Sequence, residues 1–338
     1  QRWIGQVRGG LAIATIGAST AMAGVVGDSL SVTTTMCAIA YPQMKKYGYS
    51  DKLSTGTIAA GALLGPLIPP SMGFIIYATL TGESLGKLFV AGIGPGLLMA
   101  VIYSATIYGI ARFDPTAGPK GPASTWPLRV RSLRYGGPIL ALFLLVIGGI
   151  YAGIFTATEG GSIGCVGALI IGLLMRRYTW WNFKDALLQA GTVLGMIFMI
   201  IIGATIFSSF LAWCNLSQTI SDFVTALNWD PRLFVMFVLL AFFVSGFFID
   251  IIPMFLIGVP IIHPAVVAMG VDPNWFAVLV VITIQMGQIS PPFATILFAL
   301  KGILPDIRIG TIFKGIVPFI VATIVGLIIL FFVPAIVL

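Results

Sequence analysis

The chain is 338 residues long, 58% hydrophobic and only 9% charged, with a mean hydropathy of +1.06. A water-soluble domain of this size needs far more charge to cover its surface, so an ordinary globular protein is excluded. The formal net charge of +7 does not point to nucleic acid, because the basic residues gather in short loops: Lys45, Lys46 and Lys52; Arg112, Lys120, Arg129, Arg131 and Arg134; Arg176, Arg177 and Lys184. That is the positive-inside pattern of a protein crossing a lipid bilayer many times, and it puts the loops around Glu83, Asp222 with Asp230, and Asp272 outside.

In chain order, apolar arms over about 11–26 and 30–44 flank the polar tip Gly27-Asp28-Ser29-Leu30-Ser31, which predicts a helical hairpin that enters and returns on one side. A span over 53–80 follows, interrupted at Gly65-Pro66-Leu67-Ile68-Pro69-Pro70-Ser71. Two adjacent prolines remove two donors and clash with the preceding turn, so this helix breaks in mid-membrane. Next come a span over 86–111, a basic Pro/Gly-rich loop over 112–136, and spans over 137–154, 159–175 and 188–213. A second hairpin over about 232–263 has its tip from Ser245-Gly246 to Asp250. A second broken helix over 275–300 is interrupted at Gly287-Gln288-Ile289-Ser290-Pro291-Pro292, and a last span covers 311–337. Apolar runs near 20 residues are long enough to cross about 30 Å of hydrocarbon, and the lack of period-2 alternation selects helices over a barrel. Amphipathic stretches near 178–188 and 217–227 read as interface-lying helices or contacts to a partner, with Trp180 and Trp181 as an interfacial anchor. Cys37, Cys165 and Cys214 are scattered and His263 is the one histidine, so neither a disulfide framework, a metal site nor a cofactor is expected. Chemistry has few places to happen, which weighs against a membrane-embedded enzyme.

The two interrupted units are copies. Asp28, Pro42, Gly48, Gly65, Pro69 and Pro70 each have an identical partner 222 residues on, at Asp250, Pro264, Gly270, Gly287, Pro291 and Pro292. With one extra residue, Gly92-Ile93-Gly94-Pro95 aligns with Gly315-Ile316-Val317-Pro318. The copies lie within 1–111 and 137–338, and between matching points in them, the Lys45/Lys46 loop and the Asp272 loop, fall five predicted crossings: 53–80, 86–111, 137–154, 159–175 and 188–213. An odd number inverts one against the other, the arrangement of secondary transporters that place substrate near the midplane. Carbonyls freed by the breaks need a partner that hydrocarbon cannot supply; a cation is one, and half-helix N-termini can meet an anion. Asp28 and Asp250 are the acidic residues that lie away from any loop. An intramembrane carboxylate is a site candidate by default, the alternative being a cap on a hairpin-tip helix.

These motifs resemble the large membrane subunit of TRAP (tripartite ATP-independent periplasmic) transporters. Gly27-Asp28-Ser29, then Ile39-Ala40-Tyr41-Pro42-Gln43-Met44 and Gly48-Tyr49, is similar to the family's first hairpin. Leu67-Ile68-Pro69-Pro70-Ser71 and the run from Thr81-Gly82-Glu83 to Ala91-Gly92 resemble its first broken helix and the following span. Gly153-Ile154-Phe155-Thr156-Ala157-Thr158-Glu159 resembles the link between halves; Asp250, Val259-Pro260-Ile261, Pro264 and Gly270 the second hairpin; Ser290-Pro291-Pro292, Leu300-Lys301-Gly302-Ile303 and Pro305-Asp306-Ile307 the second broken helix and its exit. The likeness covers essentially the whole chain.

The resemblance implies an all-α polytopic membrane protein of elevator-type ion-transporter fold, in a bacterial inner membrane. It would be a non-enzymatic, Na⁺-coupled symport subunit importing small organic acids. The partners implied are a small four-helix membrane subunit and a periplasmic substrate-binding protein, together with a small carboxylate. Family chains usually begin with further helices, which this sequence is expected to lack. The expected Na⁺ set is Asp28, Ser29, Gly65, Ile68, Asp250, Gly287, Ile289 and Ser290. The expected substrate set is Ser31, Thr33, Pro69, Pro70, Pro291, Pro292 and Thr295. The chain departs from the family at Asp28, where Gly-Ser-Ser is usual, at Pro66, which replaces an aliphatic residue, and at Leu63, Thr283, Gln285 and Ile296, where Thr, Asn or Glu are frequent. Fewer side-chain oxygens leave a cation more dependent on backbone carbonyls, Asp28, Ser29 and Ser290. A self-sufficient carrier that needs no binding protein is the competing expectation.

Overall fold

The computed structural model describes residues 4–121, 137–138, 141–150, 152–175, 179–215, 219, 222, 229–249, 251–291 and 294–337. Among them the regular structure is helical throughout: α1 (Gly10–Val26), α2 (Ser29–Lys46), α3 (Asp51–Ala62), α4 (Met72–Thr81), α5 (Leu85–Phe113), α6 (Ala141–Ile150), α7 (Ala157–Leu174), α8 (Trp180–Trp213), α9 (Pro231–Ser245), α10 (Ile251–Ala268), α11 (Pro273–Ile289), α12 (Thr295–Ile303) and α13 (Ile309–Phe332). Of these, α5, α10 and α13 are long and apolar enough to cross a membrane. Asp250, Pro292, Arg176, Arg177, the basic loop from 122 to 136 and most of 217–227 lie outside the described residues.

Local chemistry sets the helix starts. Ser50, Ser71 and Ser84 cap α3, α4 and α5 through their hydroxyls; Thr156 and Glu159 form a reciprocal capping box on α7. Asp230 and Asp272 cap α9 and α11 just before a proline, whose missing N–H is harmless at a first helical position. The turns that follow α2 and α10 are built alike. Gly48 and Gly270, partners in the repeat, are both left-handed, with φ of 76° and 72°. Gly48 N–H donates to Lys45 and Tyr49 N–H to Met44, while Gly270 donates to Val267 and Val271 to Val266, all at 3.0–3.1 Å. Glycine is needed there because a Cβ disfavours positive φ.

The two helices preceding the breaks are the most enclosed. Every residue of α3 from Leu53 to Ala62 is buried, as is every residue of α11 from Trp275 to Ile289. A helix covered on all faces belongs at the centre of a bundle. Around α3 pack α1, α2, α5 and α13; around α11 pack α9, α10, α13 and α5. α4 lies on α10, and α12 lies on α2. Interchanging α1–α5 with α9–α13 therefore preserves most of the packing pairs. Glycine lets backbones touch: a Cβ on Gly56 of α3 would stand 2.2 Å from the Gly315 carbonyl oxygen of α13, and one on Gly315 stands 2.2 Å from that of Lys52.

The hairpin bases sit at opposite ends of α5. Gly9 N–H donates to Gly118 O and Ser50 N–H to Ala117 O, so the α1–α2 base lies just beyond the C-terminus of α5. Tyr77 Oη, one turn before the end of α4 and near the start of α5, meets His263 Nδ1 at 3.1 Å and donates to Pro273 O at 3.3 Å, which fixes the α10–α11 turn there. α5 has 29 residues, about 43 Å at 1.5 Å per residue.

The stretch near 178–188, expected as an interface-lying helix or a contact to a partner, is continuous with the span expected over 188–213: from Trp180 to Trp213 it forms one helix of 34 residues. The first eight residues of α8 contain neither Gly nor Pro, so nothing local stops the helix from extending beyond the hydrocarbon.

Candidate functional site

Each hairpin tip is seated on the interruption of its own broken helix. At the first tip α1 ends on Gly27, left-handed with φ 68°, and its N–H donates to Ala23 O. Asp28 is extended, and its carboxylate accepts the Ser31 N–H at 2.8 Å, capping α2. The Gly27 carbonyl accepts from Met72 N–H at 3.3 Å. A Cβ on Gly27 would come within 2.7 Å of the Pro70 carbonyl oxygen, and one on Gly65 within 2.9 Å of the Asp28 carbonyl. Four half-helix ends thus converge: the C-terminal ends of α1 and α3 and the N-terminal ends of α2 and α4.

Between α3 and α4 the backbone is unwound. Leu63, Leu64 and Gly65 donate three residues back, to Ala60, Gly61 and Ala62, in a tightened last turn. Pro66 has no donor, and its ring would collide with the Ala62 carbonyl in a continued helix, which is why α3 stops there. Among the described residues, no donor reaches the carbonyls of Gly65, Pro66, Leu67 or Ile68. Pro69 and Pro70 follow, joined by a cis peptide, and Ser71 restarts the chain by accepting Phe74 N–H at 3.3 Å.

The second interruption is shorter. Gln288 replaces Pro66 at the corresponding position, and α11 stays helical to Ile289. Ser290 is extended (φ −94°, ψ 135°), the conformation a following proline imposes. Its N–H donates to Gly287 O at 3.1 Å and its hydroxyl to Met286 O at 2.7 Å. The Gly287 carbonyl, expected as a cation ligand, thus accepts one hydrogen bond. A Cβ on Gly287 would lie 2.8 Å from the Gly246 backbone at the second tip. Pro291 and Thr295 are exposed, Thr295 being the first residue of α12. Asp250 and Pro292 lie outside the described residues, so neither is assigned a contact.

The remaining expected residues divide. Ser29 and Ile68 are buried at the first tip and break, while Ser31 is exposed one turn into α2. Ile289 is fully buried. Thr33, expected to face substrate, is fully buried with its hydroxyl donating to Ser29 O at 2.8 Å. The two halves meet directly: a Cβ on Gly73 in the first turn of α4 would be 3.4 Å from Val281 of α11 and 3.7 Å from Phe255 of α10.

Sequence reasoning missed the seat under the first break. A Cβ on Gly92 of α5 would lie 2.6 Å from the Leu67 carbonyl oxygen, and one on Gly96 lies 2.6 Å from Ile68 Cγ1. The Gly-x-x-x-Gly spacing that signals close backbone approach is present in the sequence at those positions. Gly24 and Gly246 form a further 222-residue pair, and both line the tips. Leu63 and Gln285 are repeat partners that line one small cavity of about 10 Å³ with Tyr103 and Thr323, whose hydroxyls are 2.9 Å apart. Among the described residues, no three His, Cys, Asp or Glu side chains gather as a metal site. Backbone carbonyls without a protein donor can accept a hydrogen bond or meet a cation, and serine-capped helix starts suit an anion.

Comparison with known proteins agrees with this architecture. Residues 1–336 match the model of the tripartite ATP-independent periplasmic transporter DctM component. The C4-dicarboxylate TRAP transporter large permease protein DctM of Pseudomonas aeruginosa is 32% identical over 335 residues, covering 98% of this chain and 78% of the relative. The ectoine TRAP transporter large permease protein TeaC of Halomonas elongata is also 32% identical, covering 94% of this chain and 74% of the relative. The sialic acid TRAP transporter permease protein SiaT of Haemophilus influenzae is 27% identical, covering 99% of this chain and 54% of its own length. The crystal structure of the Alcanivorax borkumensis YdaH transporter superposes with a TM-score of 0.56 at 15% identity, over 96% of this chain and 84% of that one, so the fold is shared. With hairpin tips seated on broken helices and a family match along nearly its whole length, the chain belongs to the DctM family of TRAP transporter large membrane components.

Proposed function

We propose that this chain is the membrane permease of a Na⁺-coupled secondary importer of small organic acids in a bacterial inner membrane. It receives substrate from a periplasmic binding protein and works beside a small four-helix membrane subunit. The carrying observation is the convergence of half-helix ends at Gly27, Asp28, Gly65 and Met72, with bare carbonyls from Gly65 to Ile68. Those carbonyls, with Asp28 and Ser29, hold the cation, and Ser290 borders the second half of the site. Substrate carboxylate lies near Ser31 and Thr295. Relatives named for C4-dicarboxylate, ectoine and sialic acid support small, mostly acidic cargo without choosing among them.

The two units act as an inverted repeat. Support comes from the hairpin bases at opposite ends of α5 and from the packing pairs that interchange with the repeat. The hairpins and broken helices move together as an elevator past the connecting spans. The basic loops face the cytoplasm.

Asp28→Asn tests the ion assignment. Asparagine caps helices as well as aspartate does, so α2 keeps its start while the charge is lost. The expected result in reconstituted uptake is a several-fold higher Na⁺ requirement with folding unchanged; an identical Na⁺ dependence removes Asp28 from the ion site.

A further inference from the structure

A second site lies away from the transport machinery, at the C-terminal end of α5. There Arg8, Arg112 and Lys120 line a cavity of about 410 Å³ together with Gln6, Val7 and Tyr108. Among the described residues, no carboxylate lines it. The nearest acid along the chain, Asp114, is bonded to the N–H and hydroxyl of Thr116, which hold its carboxyl below the usual range, and it faces a separate cavity with Lys52 and Lys314. From residue 115 to 158 the sequence contains neither Asp nor Glu. Three cations thus converge without a carboxylate among the described residues that line the cavity, an arrangement that self-repulsion disfavours unless an anion sits among them.

The cavity walls are fixed rather than incidental. Gly121 N–H donates to Gly5 O at 2.7 Å and Gly9 to Gly118 O at 3.0 Å, joining the segment before α1 to the segment after α5, while Gly10 N–H donates to Val7 O at 2.9 Å and folds the first segment on itself. Gly9 is left-handed with φ 72°, and a Cβ there would meet Ile107 of α5 at 2.9 Å, so the first segment is packed closely against α5.

The shape of the surroundings selects the anion. Leu97, Val101, Ala105 and Tyr108 are exposed and lie on the same face of α5 as Arg112, at spacings of four, four, three and four residues. That apolar stripe runs from Arg112 about 22 Å along the helix at 1.5 Å per residue, more than the roughly 15 Å depth of one leaflet. A free phosphate would use the cations and leave the stripe idle, whereas a phospholipid uses both. We propose that this cavity binds an anionic phospholipid, its phosphate among Arg8, Arg112 and Lys120 and one acyl chain along the α5 stripe. Basic pockets beside membrane helices are suited to such headgroups. The site requires only that the chain sit in a bilayer, so it stands or falls independently of the transported substrate.

The test is native mass spectrometry and thermal unfolding of the full chain with phosphatidylglycerol, phosphatidylcholine or inorganic phosphate. The wild type is expected to retain phosphatidylglycerol over phosphatidylcholine and to be stabilised by it, while inorganic phosphate does neither. Arg112→Gln alone is expected to weaken that preference about fivefold, and Arg8→Gln with Arg112→Gln and Lys120→Gln on the order of 100-fold. Lys87→Gln, at the other end of α5, leaves it unchanged. Unaltered unfolding in neutral lipid shows that the variants are folded. A triple variant with wild-type preference overturns the site. Displacement of the lipid by inorganic phosphate overturns the assignment to a lipid.

Discussion

Gly92→Ala is expected to lower organic-acid uptake by about tenfold or more, because a site works only if its groups are held to within about half an ångström. The added Cβ would stand 2.6 Å from the Leu67 carbonyl oxygen and 2.4 Å from the Phe74 ring. One obstacle is backbone and the other a fully buried ring, so the unwound segment has to move off α5 as a unit. The carbonyls of Gly65 to Ile68 move with it, and the packing of the break on the first hairpin tip, at Gly65 on Asp28 and Pro70 on Gly27, is disturbed. The stability effect is the smaller consequence, about 1–3 kcal/mol for overpacking. The check is the initial uptake rate per folded protein; a wild-type rate shows that the break does not depend on its α5 seat.

Gly56→Val and Gly315→Val are each expected to remove most of the folded protein. α3 and α13 touch through these glycines, with 2.2 Å between an added Cβ and the carbonyl oxygen opposite in both directions. Neither oxygen can rotate aside without opening its helix, so the helices must separate along their whole contact. The expected loss is about 3 kcal/mol or more. The two substitutions relieve one contact, so the double variant falls well short of the summed effects. Gly17→Ala, where a Cβ meets nothing within 4 Å, is neutral or slightly stabilising because it removes chain entropy from the unfolded state. Melting of the detergent-solubilised proteins, followed by size-exclusion chromatography, separates these cases.

The broken helices were legible because their cause is local. Adjacent prolines cannot be absorbed by a helix whatever surrounds it, and the 222-residue register pairs the two breaks through identical residues. The difference between the copies was also written locally, in Pro66 against Gln288, although its consequence was not drawn: α3 stops at Ala62 while α11 runs on to Ile289. The sequence was less informative where the deciding contact comes from a distant element. Thr33 entered the expected substrate set through the family resemblance, but the elements packed on α2 bury it completely, and its hydroxyl bonds Ser29 O one turn back in the same helix. Gly92 and Gly96 read as ordinary helix glycines until the break is laid across them. The continuity of α8 was missed because an interface-lying and a spanning segment have the same local helix propensity, and only tertiary context separates them.

The most direct measurement of the central claim is uptake of a candidate carboxylate into proteoliposomes. They carry this chain with its small membrane subunit, with and without the periplasmic binding protein and an inward Na⁺ gradient. The convergence of half-helix ends around Asp28 and the Gly65–Ile68 carbonyls predicts uptake only when both are present, and its loss in Gly92→Ala. Uptake that proceeds at full rate without either, and equally well in that variant, would contradict it.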